Sequence, residues 1–82
     1  MYVPNDHEVS IIKHSLGLDR SDTETRNHYN TGEGSDDFDA CENLVKHEMM
    51  TKHDLSWIEG FIYYVTDKGR IVIGVRDEDS PK

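Results

Sequence analysis

Residues 35–65 read SDDFDACENLVKHEMMTKHDLSWIEGFIYYV, and the change of periodicity within this stretch decides the fold. Ser35 is a helix-capping residue, and Asp36 and Asp37 fall in the first turn, where negative charge meets the positive end of the helix dipole. Phe38, Cys41, Leu44 and Val45 recur at helical spacing and leave Asp39, Glu42, Asn43 and Lys46 for solvent, which predicts a helix ending near His47 or Glu48. The pattern then turns to strand: residues 49–53 form a short one, residues 54–60 a turn carrying Leu55, Trp57 and Ile58, and residues 61–65 an aromatic, β-rich one. The two strands make a hairpin.

Upstream, Val9, Ile12 and Leu16 lie on one helical face, Asn5 or Asp6 supplies a cap, Glu8 suits the first turn, and Gly17 suits the left-handed residue that ends a helix. A short amphipathic helix over residues 6–16 is expected. Residues 19–34 are charged, polar and glycine-containing, with Tyr29 as the one large hydrophobe, and read as a long polar loop. Downstream, residues 66–75 admit two readings. Thr66 caps a last short helix, or Asp67-Lys68-Gly69 turns the chain into a third strand; local propensity favours the strand, since Ile71, Val72, Ile73 and Val75 are β-branched. The acidic segment 77–82 is expected to be a disordered tail, leaving 1–76 as a single domain. Helix, loop, helix, strand, turn, strand is an α+β order, with two helices covering one face of a small antiparallel sheet.

The chain has 82 residues, 34% of them hydrophobic and 32% charged, so it holds one small domain with a thin core. Seventeen Asp and Glu against nine Lys and Arg give a net charge of −8, the wrong sign for a domain that lives on phosphate contacts. Residues 1–41 carry nine acids and three bases, whereas residues 42–82 carry eight and six. One cysteine, Cys41, makes no internal disulfide, so a reducing cytoplasm is the expected setting. No apolar run approaches the roughly 20 residues that cross a bilayer.

Several segments carry a resemblance. Leu44-Val45-Lys46-His47-Glu48-Met49-Met50 and Tyr64-Val65-Thr66-Asp67-Lys68-Gly69-Arg70 resemble the recognition-helix exit and the wing-to-helix segment of winged-helix proteins. His14-Ser15-Leu16-Gly17-Leu18-Asp19, Arg26-Asn27-His28-Tyr29, Thr31-Gly32-Glu33-Gly34-Ser35-Asp36-Asp37 and Val65-Thr66-Asp67-Lys68-Gly69-Arg70 are similar to a group of small bacteriophage proteins. These resemblances imply a winged-helix-like domain of phage origin acting in the host cytoplasm. They differ from a full winged helix in showing two helices before the hairpin rather than three. The second helix also bears Asp36, Asp37, Asp39 and Glu42 against Lys46, where a DNA reader uses Arg, Lys, Asn or Gln.

No motif for catalysis, cofactor or metal emerges. The five histidines lack the close i, i+4 pairing of zinc sites, Asp36, Asp37 and Asp39 lack the EF-hand pattern, and Thr31-Gly32-Glu33-Gly34-Ser35 lacks the lysine of a P-loop. Cys41 sits on an apolar stripe, where an inert buried thiol is the ordinary outcome. The expected function is therefore binding: a host or phage protein with a basic surface, contacted by Arg26, His28, Tyr29, Asp36, Asp37, Trp57 and Tyr64, with aromatics as anchors. A DNA-binding regulator using Lys46, Lys52, Lys68 and Arg70 is the alternative.

Overall fold

A computed structural model describes residues 2–74. The order is α1 (Asp6–Leu16), β1 (Tyr29–Thr31), α2 (Asp36–Lys46), β2 (Met50–His53), β3 (Phe61–Val65) and α3 (Asp67–Val72). The strands form one antiparallel sheet in the order β1-β3-β2. The fold is thus a small α+β domain with three helices, an arrangement compatible with a small winged-helix-like domain. It keeps the helix count expected before the hairpin, and its third helix follows β3.

Helix α1 begins where its cap requires. The Asn5 side chain accepts the Glu8 N–H at 2.8 Å, and the Glu8 carboxylate accepts the Asn5 N–H at 3.0 Å, a reciprocal capping box. It ends at Gly17, whose φ of 79° is the left-handed region that favours glycine. The buried face is broader than the Val9–Ile12–Leu16 stripe: Glu8, Ile11, Ile12, Ser15 and Leu16 are buried, and the Ser15 hydroxyl is satisfied by the Ile11 carbonyl at 2.7 Å.

Glu8 is the one buried carboxylate among the described residues, only 2% exposed. Its oxygens accept from the Asn43 side chain of α2 at 2.8 Å, from the Tyr2 hydroxyl and from the Asn5 N–H. Tyr2 in turn stacks on His47, with ring centroids 3.9 Å apart. Burial pushes the Glu8 carboxyl up, but the hydrogen bonds from Asn43, Tyr2 and Asn5, with the charge of His47, outweigh it and hold it below the usual carboxylate range. One side chain therefore ties the N-terminal segment and α1 to α2.

The long loop is not featureless, and this corrects the expectation for residues 19–34. Thr25 and His28 donate their N–H groups to the carbonyls of Leu16 and Ser15 at 3.0 and 3.1 Å, laying the chain along the end of α1. The Asn27 side chain then donates to the Val65 carbonyl at 3.1 Å and accepts the Val65 N–H at 2.7 Å, imitating a ladder partner two residues before β1. Tyr29, Asn30 and Thr31 pair with Tyr63, Ile62 and Phe61. Three residues are too few for a period-two signal, so only the partner strand reveals this one.

Residues 71–73 correct the local preference for strand. The Thr66 hydroxyl accepts the Gly69 N–H at 3.2 Å and donates to the Glu48 carbonyl at 2.7 Å, so one cap starts α3 and fastens it to the end of α2. At Gly69 a Cβ would lie 2.5 Å from the Met49 carbonyl oxygen and 2.9 Å from Val65 Cγ1. Close packing and capping override β propensity here. Val75 and the segment 77–82 lie outside the described residues.

Ile11, Ile12, Leu16, Cys41, Leu44, Met49, Met50, Tyr63 and Val65 form the core between the helices and the inner face of the sheet. Tyr63 and Val65 point into it, whereas Ile62 and Tyr64 alternate to the outer face.

The fold makes three stability outcomes testable. Glu8→Ala strands the Asn43, Tyr2 and Asn5 donors and costs roughly 2 to 3 kcal/mol in urea unfolding; a loss under about 0.5 kcal/mol contradicts the network. Because the folded carboxyls of Glu8, Asp37 and Glu42 lie below their ordinary range, their contribution is fully present above the unfolded pKa of about 4 and is lost as pH falls through the folded values. Urea midpoints should thus decline below about pH 4, less steeply in Glu8→Gln. Gly69→Ala should cost about 1 to 3 kcal/mol by overpacking; a neutral result in thermal melts contradicts the close approach of α3 to Met49.

Candidate partner-binding surfaces

Four of the seven expected contact residues meet at the corner where α1, β1 and α2 converge. Arg26, His28 and Tyr29 line a depression of about 250 Å³ together with His14 and Asn30. The Arg26 guanidinium donates through Nε and Nη2 to the His14 carbonyl at 2.9 and 2.6 Å, and its Nη2 lies 4.0 Å from Asp19. A cation over the last carbonyls of α1 complements the negative end of the helix dipole, so Arg26 already has an internal role. His14 Nδ1 lies 2.7 Å from Asp19 Oδ2, which holds the Asp19 carboxyl below its ordinary range.

Asp37 is likewise engaged. Tyr29 donates its hydroxyl to Asp37 Oδ2 at 2.6 Å, and His7 Nε2 lies 2.8 Å from Asp37 Oδ1. The Tyr29 hydroxyl is the main reason the Asp37 carboxyl lies below its usual range, with His7 adding to it. Burial, then Asp37 itself, drives the Tyr29 phenol upward. This carboxylate fastens α2 to β1 and α1. Asp36, its neighbour at the start of α2, is exposed. His7, His14 and Asp19 carry no local signal as contact residues. Their spacing in sequence gives no sign that His7 meets Asp37, which only the packing of α1 on α2 brings about.

Trp57 and Tyr64 lie elsewhere. Tyr64 is on the outer face of β3, opposite to Tyr63, with its ring edge-on to His53 at 4.9 Å. Trp57 is in the β2–β3 loop and is 77% exposed, the largest side chain so displayed among the described residues. The structure therefore does not gather the seven residues into one patch: Arg26, His28, Tyr29 and Asp37 are together, Asp36 begins α2, and Tyr64 and Trp57 belong to the outer face and the hairpin loop.

The basic residues of the DNA-reading alternative are mostly occupied. Lys52 Nζ lies 3.0 Å from Glu42 and 4.1 Å from the Phe61 ring centroid. Lys68 pairs with Glu48 at 3.5 Å, and Arg70 donates to Glu24 through Nε at 2.7 Å and Nη2 at 3.1 Å, with Asp67 at 3.3 Å. The Glu24 hydrogen bond leads in raising the Arg70 guanidinium above its ordinary value. Glu42 also accepts the Tyr63 hydroxyl at 2.5 Å; burial pushes its carboxyl up, but Tyr63 and Lys52 hold it below the usual range.

Among the described residues no three His, Cys, Asp or Glu side chains converge on a metal position, and no helix is long and apolar enough to cross a membrane. Cys41 is fully buried, and burial, helped by the charges of Asp37 and Glu42, pushes its thiol up to about 12. No protein-family model, curated protein or solved structure matches this chain.

A thiol reagent should consequently modify native Cys41 only as fast as the protein unfolds, with full reaction in denaturant. Rapid stoichiometric labelling of the native protein contradicts the buried placement.

Proposed function

We propose that this protein is a small acidic docking module that binds and modulates a host or phage protein with a basic surface. The observation that carries this reading is how its charge is divided. Arg26, Lys52, Lys68 and Arg70 are each engaged with carboxylates or carbonyls of the chain itself. The exposed carboxylates Asp22, Glu33, Asp36, Asp39, Asp54 and Glu59 have no ion pair among the described residues. These acids outnumber the exposed bases without an ion pair among the same residues, Lys13, Arg20 and Lys46, so the outward field is negative on balance, which attracts a cationic partner from a distance and repels phosphate.

The sequence resemblance to small bacteriophage proteins directs the partner toward transcription, replication or defence machinery, whose surfaces are basic because they handle nucleic acid. Occupying such a surface inhibits or redirects the machine without any chemistry in this chain. The winged-helix-compatible sheet favours DNA reading as the second possibility, but three of the four cations it needs, Lys52, Lys68 and Arg70, are engaged with carboxylates of the chain, which leaves Lys46.

Capture from a host lysate over increasing salt tests the reading, with Asp36→Lys/Asp39→Lys as control, since both side chains are exposed and the Asp37 contacts stay intact. Retention should fall with salt and drop about tenfold in the double variant. Sequence-preferring binding to duplex DNA with a steep salt slope, or capture indifferent to charge, replaces it.

A further inference from the structure

We infer that the β2–β3 loop is the point of contact, and that it receives an arginine-bearing segment of the partner on the exposed face of Trp57. This inference rests on the acidic-docking reading and supplies its partner chemistry.

A tryptophan 77% exposed leaves a large apolar area in water with no packing return. It is not on a frayed end: Ile58 donates its N–H to the Leu55 carbonyl at 3.0 Å, closing a turn across Trp57, and both Leu55 and Ile58 are half-buried. The charged residues of its loop, 54–60, are of one sign. Asp54 and Glu59 flank it in the same loop, both exposed. Glu33 joins Glu59 at a depression of about 400 Å³ at the end of β1, floored by Gly32 and Gly60. The two backbones touch there: a Cβ on Gly60 would lie 2.7 Å from the Thr31 carbonyl oxygen. Lys52, the nearest cation along β2, is held over Phe61 and beside Glu42, so it does not neutralise this end.

An exposed indole in a loop that also carries the unpaired carboxylates Asp54 and Glu59 is complementary to a guanidinium. The planar cation stacks on the indole, the strongest of the aromatic cation–π partners, while its edge donates two parallel hydrogen bonds to a carboxylate. Lysine satisfies the charge without the stacking or the fork. A second copy of this chain brings like charge to like charge, and a nucleic acid brings phosphate to carboxylate, so neither matches.

Trp57 is the single tryptophan of the chain, so its fluorescence reports on this loop alone. Titration with a hexa-arginine peptide should change the emission saturably, with hexa-lysine binding about fivefold more weakly. The exposed triple Asp54→Asn/Glu33→Gln/Glu59→Gln should weaken hexa-arginine about tenfold, and Asp36→Asn less than about twofold. Equal weakening by Asp36→Asn, or undiminished binding to Trp57→Ala by calorimetry, overturns the inference. Capture from lysate separates the two levels. Loss on Trp57→Ala supports the loop as the contact. Retention by Trp57→Ala with loss on Asp36→Lys/Asp39→Lys overturns the loop and leaves acidic docking standing. Retention by both overturns both.

Discussion

The Glu8 carboxylate is the constraint on which the rest of this small domain depends. A buried charge is tolerated only when its lone pairs are filled, and here Asn43, Tyr2 and the Asn5 N–H fill them. Each donor comes from a different part of the chain: the N-terminal segment, the cap of α1 and the middle of α2. A core of nine buried hydrophobic residues is small, and a satisfied polar network beside it fixes how the two helices meet where apolar packing alone specifies it weakly. With α1 and α2 set, Asp37 reaches His7 and Tyr29, and Glu42 reaches Tyr63 and Lys52, so carboxylates of α2 key it to the sheet and to α1 as well.

This use of charge inside the fold determines what is left outside. The carboxylates that build the structure each have a donor, and four of the described cations are held by them or by carbonyls. The acids on the surface at the start of α2, at the end of β1 and in the hairpin loop have no such counterpart among the described residues. Among the described residues the exposed acids without an ion pair outnumber the exposed bases without one, Lys13, Arg20 and Lys46, and the largest exposed aromatic belongs to the loop that carries two of those acids, Asp54 and Glu59. Electrostatics of this kind accelerates encounter and chooses the sign of the partner, while an aromatic anchor sets how long the complex lasts.

Local signals were enough for some of the fold. The Asn5 and Gly17 caps bracket α1, Ser35 starts α2, and the aromatic β-rich run is β3 from Phe61 to Val65. What escaped local reading was decided by contacts distant in sequence. β1 exists because β3 offers it an edge and Asn27 extends the ladder with a side chain. α3 forms over β-branched residues because Thr66 caps it and Gly69 permits a backbone approach that no other residue allows. Trp57 and Tyr64 stood out as exposed aromatics from alternation and type. The internal partners of Arg26 and Asp37 did not, since a charged residue in a loop or a first helical turn looks alike whether it faces solvent or a neighbouring element.

The most direct test is a chemical-shift map of the isotopically labelled protein as a hexa-arginine peptide is added. The account predicts that shifts concentrate on the Trp57 indole N–H, the backbone amides of residues 54–60 and Glu33, and fade as salt is raised. Shifts centred instead on α3 and the end of α2, or spread evenly over every exposed carboxylate, contradict it.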